Sequence, residues 1–394
     1  MPAMRKQVSA YRNPVAPRVG LLVETSLASG REILRGISKY VREHAPWVLY
    51  HEPHGMENAL PRWLKRWRGE GIIARIQTAE MARTLATLDI PIVDVLGVSR
   101  RFPLVHVDNA AIARLAADHL LERGLQQFAF FGIGGENWSQ QRYAGLCAAV
   151  APVQRDVPRY ELPRRALDAR AWDRMEDKLA AWIRALPRPT GVLVCSDQRG
   201  PQFLEACRRA GVNVPDEVAV IGVDNDEPLC EVCSPPLSSI QPGHAAVGYE
   251  AASLLNKLMR GDAAPRTPLL LAPQQVLARL STDTFAVADP IVHGALRLIR
   301  EGAHLCLSVD TIAREVGVSR SVLQRRFQER LKRTVHQEIV DAKIKKAREL
   351  ILKTDLPLSV VAERAGFRHQ EYMGAVFKAR LGMTPGKVRQ AERQ

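Results

Sequence analysis

The chain has 394 residues, of which 46% are hydrophobic, 25% charged and 6% aromatic, a globular composition that excludes a fully disordered or fibrous protein. Its net charge of +14 is unevenly placed: residues 286–394 carry 21 basic against 12 acidic side chains, a balance of +9, and the preceding 285 residues carry +5. No apolar run approaches the roughly 18 residues of a membrane helix, so no membrane partner is expected.

A prior of roughly 150 residues per domain suggests two or three domains. The first seventeen residues hold Arg5, Lys6 and Arg12 with no apolar stretch behind them. They read as a loose basic tail without a secretory signal. With six irregularly spaced cysteines and no disulfide pattern, the expected location is a reducing cytoplasm. From 18 to 280, short β-branched or apolar runs alternate with helical patterns. The runs are Val19–Val23, Trp47–Tyr50, Gly71–Ile76, Pro91–Val95, Phe128–Phe131, Gly191–Cys195 and Val218–Val223. One helix is expected over about 109–123, with Ala113, Ala116, Ala117 and Leu120 on one face and Gly124 as its stop. Strands alternating with helices imply parallel sheets covered on both faces. The expected fold is a two-lobed α/β domain with a cleft between the lobes.

Ser281–Pro290 reads as a short linker, and beyond it only helical patterns follow. This all-α region, 291–394, contains a repeat. Ile312-Ala-Arg-Glu-Val-Gly317 returns as Val361-Ala-Glu-Arg-Ala-Gly366, displaced by 49 residues. Ala313, Gly317 and Leu323 in the first copy match Ala362, Gly366 and Tyr372 in the second. A small residue for close helix approach, a glycine for a left-handed turn and a later apolar pin are what a helix-turn-helix requires. Two such motifs are expected, at about 308–331 and 359–381, joined by a helix over about 336–352. In the first, Ser319 caps a helix that buries Val322, Leu323 and Phe327. That leaves Arg320, Ser321, Gln324 and Arg325 outward, where Arg suits guanine edges and Gln adenine edges in the major groove. In the second, the outward positions are His369, Gln370, Glu371 and Gly374. Doubled motifs in the most basic part of the chain point to double-stranded DNA as a partner.

The C-terminal region resembles the AraC/XylS family DNA-binding domain, through Val361-Ala-Glu-Arg-Ala-Gly-Phe367, Phe377-Lys378, Gly382, Thr384-Pro385 and Arg389. Where that family usually has glycine after the first recognition helix, this chain has Lys332. A left-handed backbone there would cost a lysine about 1 kcal/mol, and a remodelled turn is the alternative.

For the α/β region, position supplies candidates. Asp224 and Asn225 follow the run Val218–Val223, and Ser196 and Asp197 follow Gly191–Cys195, at strand carboxyl ends where open parallel sheets bind ligands. Arg142 opens the helix after Phe128–Phe131, close to Trp138. Carboxylates, an arginine fork and an aromatic ring are the groups that hold a sugar's hydroxyls and apolar face. Asp197 reads equally as a helix N-cap, and Trp138 equally as core.

This region is similar to the effector domain of LacI/GalR regulators, through Gly191-Val-Leu-Val-Cys-Ser-Asp197, Val214-Pro-Asp-Glu-Val-Ala-Val-Ile-Gly-Val-Asp-Asn225, Pro236-Leu-Ser-Ser-Ile240 and Gly248-Tyr-Glu-Ala-Ala252. A LacI-type sensor with a C-terminal AraC-type reader resembles the xylose-type regulators. The resemblance implies that Arg142, Ser196 and Asp224 contact sugar, with Arg31, Glu24 and Ser29 added from the first lobe. Such a regulator is expected to carry an acidic residue before Arg31, and this chain has Gly30.

Cys230 and Cys233 form a lone CxxC and read as loop cysteines rather than a metal or redox site. No phosphate loop or catalytic constellation stands out. The expected protein is a ligand-responsive transcription regulator, an activator of genes for using xylose or a related pentose. It is expected to need no metal or cofactor and to be no enzyme. Its expected partners are double-stranded DNA, a small carbohydrate, a second copy of itself and RNA polymerase. The alternatives are a solute-binding receptor, a repressor answering another carbohydrate, and an α/β enzyme with a helical accessory domain.

Overall fold

The computed structural model describes residues 16–44, 46–52, 61–163, 169–284, 289–302 and 308–391, so the tail expected over 1–17 lies almost wholly outside the described residues. The chain divides into two compact units, Met1–Thr284 and Phe285–Gln394.

The first unit has two lobes. The chain runs through β1 (Arg18–Leu22), α1 (Ala28–His44), β2 (Val48–His51), β3 (Gly71–Ala74), α2 (Ala79–Leu85), β4 (Ile92–Asp94) and β5 (Val105–Val107). The first lobe's sheet has the order β2-β1-β3-β4, all parallel. The chain then crosses over through α3 (Asn109–Leu121), β6 (Phe128–Ile133), α4 (Asn137–Val150), β7 (Arg159–Leu162), α5 (Ala169–Ala185), β8 (Thr190–Val194), α6 (Gly200–Ala210), β9 (Val218–Val223), α7 (Glu227–Val232) and β10 (Ser238–Gln241). It returns with α8 (His244–Met259), which packs on α1, and β11 (Leu269–Leu271), which pairs with β5. A last crossing places β12 (Gln275–Leu277) antiparallel to β10, completing the order β12-β10-β9-β8-β6-β7.

The apolar runs become strands because this sheet is covered on both faces: every residue of β6, β8 and β9 is buried. In the first lobe, α1 and α8 cross with their backbones almost touching. A Cβ on Gly36 would fall 1.9 Å from the Ala245 carbonyl oxygen, and one on Gly248 would fall 2.0 Å from that of Ile33. No side chain fits at either position.

The linker expected over Ser281–Pro290 is shorter than its composition suggests. Ser281 and Thr282 are fully buried, and the Ser281 hydroxyl donates to the Val220 carbonyl at 2.6 Å. Polar residues that read as solvated are instead consumed by hydrogen bonds to the sheet. Asp289 in turn caps α9 (Pro290–Glu301), accepting from the Ile291 and Val292 amides. What remains between the two anchors, 285–288, lies outside the described residues.

The second unit continues with α10 (Val309–Glu315), α11 (Arg320–Leu331), α12 (Val335–Lys353), α13 (Leu358–Arg364), α14 (Gln370–Leu381) and α15 (Pro385–Ala391). The Thr334–Gln337 capping box starts α12. Its 19 residues span about 28 Å. One apolar core, with Ile312, Leu323, Phe327 and Val335, sits at the start of α12. The other, with Ile344, Ala347, Ile351, Ala362, Met373 and Phe377, sits along its later turns.

Two details differ from the repeat as read from sequence. Tyr372 is 48% exposed and does not pin the second motif; Met373, fully buried, takes the place of Leu323. The turn of the second motif is one residue longer, Arg368 being the addition. The 49-residue offset therefore holds through Val318 and Phe367 and becomes 50 from Ser319 and His369 onward. The turn after α11 is not remodelled either. Lys332 takes φ 55°, matching Gly382 at φ 71° after α14.

Candidate functional site

A cavity between the two lobes of the first unit gathers polar side chains at strand ends and crossings. Leu27, Ser29, Arg75 and Gln77 line it from the first lobe. Ile133, Glu136, Trp138, Arg142, Ser196, Gln198, Arg199 and Asp224 line it from the second, and Leu96, His106 and His244 complete the wall.

Arg142, only 3% exposed, is fixed on three sides. Its Nε donates to Asn109 Oδ1 at 2.9 Å, its Nη1 donates to the Cys195 carbonyl, and its guanidinium lies 5.0 Å from the centre of the Trp138 ring. Trp138 is oriented by its Nε1, which donates to Glu136 Oε2 at 3.0 Å. Burial opposes ionisation of Asp224. The hydrogen bond from His244 Nε2 at 3.1 Å and the nearby Arg142 and Arg75 charges outweigh it, holding the carboxyl below its ordinary range. Arg75 donates through Nη1 to Glu24 Oε1 and to Ser29 Oγ, the latter at 2.9 Å.

Burial pushes His106 down to about 3, so its ring is neutral. Nδ1 faces the Val95 carbonyl at 2.9 Å, which can only accept, so Nδ1 carries the proton and Nε2 presents a lone pair. Among the buried side-chain atoms without a hydrogen-bond partner in the described residues, three belong to residues that line this cavity: His106 Nε2, His244 Nδ1 and Arg199 Nε. Buried polar groups are nearly always paired, so these three atoms are the exceptions that the cavity wall holds.

The other residues singled out from sequence lie elsewhere. Asp197 lies behind the wall. Its carboxylate accepts from Ser239 Oγ at 2.7 and 2.9 Å, from the Asp226 amide at 2.9 Å and from the Cys230 thiol at 3.3 Å. Burial, with the neighbouring Asp224 charge, pushes its pKa up to about 8. Asn225 accepts from Arg279 Nη2 at 2.9 Å. Arg31 donates to the Thr25 and Ser26 carbonyls at 2.9 and 3.1 Å. Glu24 supports Arg75 from beneath. Cys230 and Cys233 are both buried. Sequence reading missed Arg75, His106 and His244. Arg75 directly follows β3 and obeys the strand-end rule that singled out Asp224; the histidines sit beside crossings that only the fold defines.

In the second unit, Ser319 caps α11 and accepts from the Val322 amide. Arg320, Ser321, Gln324 and Arg325 are exposed on α11, with Arg320 Nη1 3.1 Å from Asp310 Oδ2. Arg326 is turned away, held to Asp289 at 2.7 Å. His369 is the N-cap residue of α14; Gln370 and Glu371 are exposed and Gly374 is half-buried.

Three families match in chain order: XylR N-terminal domain over 18–109, periplasmic binding protein-like domain over 117–282, and helix-turn-helix domain over 312–391. Over 382 residues the chain is 32% identical to the xylose operon regulatory protein of Escherichia coli (strain K12), covering 94% of this chain and 96% of that one. The xylose operon regulatory protein of Haemophilus influenzae is 30% identical over 382 residues, covering 94% and 98%. A solved structure described as the xylose-binding transcription activator xylR superposes with TM-score 0.78 at 30% identity, covering 95% of this chain and 98% of that one. A periplasmic binding protein/LacI transcriptional regulator from Alkaliphilus metalliredigens, complexed with D-xylulofuranose, shares the fold of the first unit at TM-score 0.54 and 21% identity, covering 68% and 100%. With a sensor of periplasmic-binding-protein type followed by paired helix-turn-helix motifs, the chain belongs to the family of xylose operon regulatory proteins and is a ligand-responsive DNA-binding transcription regulator.

Proposed function

We propose that this regulator binds an aldopentose, D-xylose first among them, in the cleft between its lobes, and that the bound sugar activates transcription of genes for its use. The observation that carries this reading is a cavity lined by Arg142, Asp224 and Trp138 together with His106, His244 and Arg199, each of these last three with a buried polar atom that lacks a hydrogen-bond partner. Hydrogen bonds to charged groups contribute about 1.5–3 kcal/mol each, enough for a few of them to discriminate between sugars. The names of the relatives favour xylose. Gly30 has a local reason in this chain: a Cβ there would fall 1.9 Å from the Glu24 carbonyl oxygen, so the backbone admits no side chain at that position.

Within this reading Arg142, Asp224, Ser196, Trp138, Ser29, Arg75, His106 and His244 hold the sugar, and Glu24 orients Arg75. Arg320, Ser321, Gln324 and Arg325 read one segment of duplex DNA; His369, Gln370, Glu371 and Gly374 read a second. The protein acts in the cytoplasm as a homodimer that engages RNA polymerase at the promoter, and it binds the sugar without turning it over. A ligand shifts such an equilibrium only by its differential affinity for the two states, typically 1–3 kcal/mol of coupling.

The test combines two measurements: calorimetry of the full chain against aldopentoses and aldohexoses, and binding to its own upstream DNA with and without each sugar. One aldopentose should bind and raise DNA affinity. Binding of no pentose, or DNA affinity indifferent to every sugar, would overturn the reading.

A further inference from the structure

The two residues at the carboxyl end of β9, Asp224 and Asn225, both have left-handed backbones, at φ 113° and 49°. Consecutive non-glycine residues in that region are strained, and such a turn persists only where its surroundings over-determine it. Asp224 is held by its amide, which donates to the Ile240 carbonyl at 2.9 Å. Asn225 is held by its amide, which donates to Ser239 Oγ at 3.0 Å, and by its side-chain oxygen, which accepts from Arg279 Nη2 at 2.9 Å.

Arg279 stands two residues past β12, at the start of the segment that leaves the sensor. Its Nη1 donates to the Leu237 carbonyl at 3.0 Å and its amide donates to Ser238 Oγ at 2.7 Å. The segment immediately after it is sealed into the second lobe. Ser281 Oγ accepts from the Ser238 amide at 2.8 Å. Thr282 Oγ1 meets Ser238 Oγ at 2.7 Å and His119 Nε2 at 2.9 Å, and Arg123 Nε donates to the Thr282 carbonyl at 2.8 Å. The first unit ends at Thr284. Arg279 thus holds the strained turn bearing Asp224 through its guanidinium and continues through its own backbone into the anchored peptide that ends the first unit.

We propose that Arg279 is the positioning residue that couples the effector cleft to the exit of the sensor: it passes a change in the Asp224–Asn225 turn to residues 280–284 without itself touching the ligand. The inference rests on the sugar-responsive reading above. A bridge of this kind carries coupling only if both ends bias one two-state element, a role this inference assigns to the strained turn.

The experiment uses the full chain with D-xylose as the probe, measuring xylose affinity by calorimetry and upstream-DNA affinity by fluorescence anisotropy with and without xylose. Arg279→Met keeps the aliphatic stem and removes both side-chain hydrogen bonds. It should bind xylose within about threefold of wild type while the xylose-induced change in DNA affinity collapses to within about twofold of none. Arg279→Lys, which keeps the charge but cannot span Asn225 and Leu237 together, should fall between, and it decides the matter alone if the Met variant does not fold. A variant that retains the full wild-type response overturns the proposal. So does one that loses xylose binding more than tenfold, because Arg279 would then be supporting the cleft rather than transmitting from it. If wild type responds and the variants respond equally, only this inference fails; if wild type responds to no pentose, the sugar-responsive reading fails first.

Discussion

Arg31, in the first turn of α1, has its Nη2 3.6 Å from Asp226 Oδ2 at the N-cap of α7, so an ion pair joins the first lobe to the second. The arginine side chain is 49% exposed, and such pairs contribute roughly 0–1 kcal/mol. Arg31→Ala should therefore speed effector dissociation by up to about fivefold while leaving association unchanged. The difference should fade in high salt, where exposed charges are screened. Stopped-flow fluorescence at two ionic strengths measures both effects.

Within the cleft, Asp224→Asn should weaken sugar binding by about 10- to 150-fold, the loss of one hydrogen bond to a charged group. The fold should survive. Arg142→Met should do more, because the same guanidinium also satisfies Asn109 and the Cys195 carbonyl. A loss of stability of about 1–3 kcal/mol is expected on top of lost binding. Calorimetry and thermal unfolding of the two variants separate the effects; equal sugar affinity in Asp224→Asn and wild type would remove Asp224 from the site.

On DNA, Arg320→Ala and Arg325→Ala should each cost about 1–3 kcal/mol and relax base preference at one position. Arg326→Ala, whose partner is Asp289 rather than solvent, should instead lower stability and leave base preference as it was. Binding selections from randomised duplexes distinguish the two outcomes.

The neutral, buried ring of His106 has a pH signature of its own. Its folded pKa of about 3 lies below the ordinary 6.5, so below pH 6.5 the unfolded chain takes up a proton that the folded chain refuses. The stability it contributes is present above 6.5 and is lost as pH falls toward 3, at up to about 1.4 kcal/mol per pH unit. His106→Gln cannot titrate. The stability gap between wild type and this variant should narrow on acidification across that window, as followed by chemical denaturation at several pH values. A gap that widens would show the ring charged in the fold.

Lys332 keeps its left-handed backbone where glycine would be free of strain. Lys332→Gly should raise the stability of the second unit by about 1 kcal/mol, visible as a higher melting temperature with DNA binding retained.

How far these features were legible depended on the range of the interactions that make them. Strands β6, β8 and β9 announce themselves because burial on both faces leaves an unbroken apolar run. β10 does not: it reads Ser-Ser-Ile-Gln, and its two buried serines are tolerable only because Asp197, Ser281 and Thr282 reach them from distant parts of the chain. The doubled helix-turn-helix was visible through Gly317 and Gly366, whose left-handed turns are local. The register of α14 was not, since one extra turn residue leaves the small-residue spacing intact while rotating Met373 inward and Tyr372 outward. Asp224, Ser196, Arg142 and Trp138 could be placed in the cleft because strand carboxyl ends are local features. His106 and His244 join them only when the chain crosses between lobes.

The lengthened turn before α14 has a consequence for the promoter. Aligned through their buried residues, Arg320, Ser321, Gln324 and Arg325 correspond to Gln370, Glu371, Gly374 and Ala375, two sets with little chemistry in common. If both sets face the bases as proposed, the regulator reads two unlike words, and its target has a beginning and an end. An inverted copy of the site should be bound just as tightly, but by a protein turned end for end and facing away from the promoter, so transcription driven from it should fall silent.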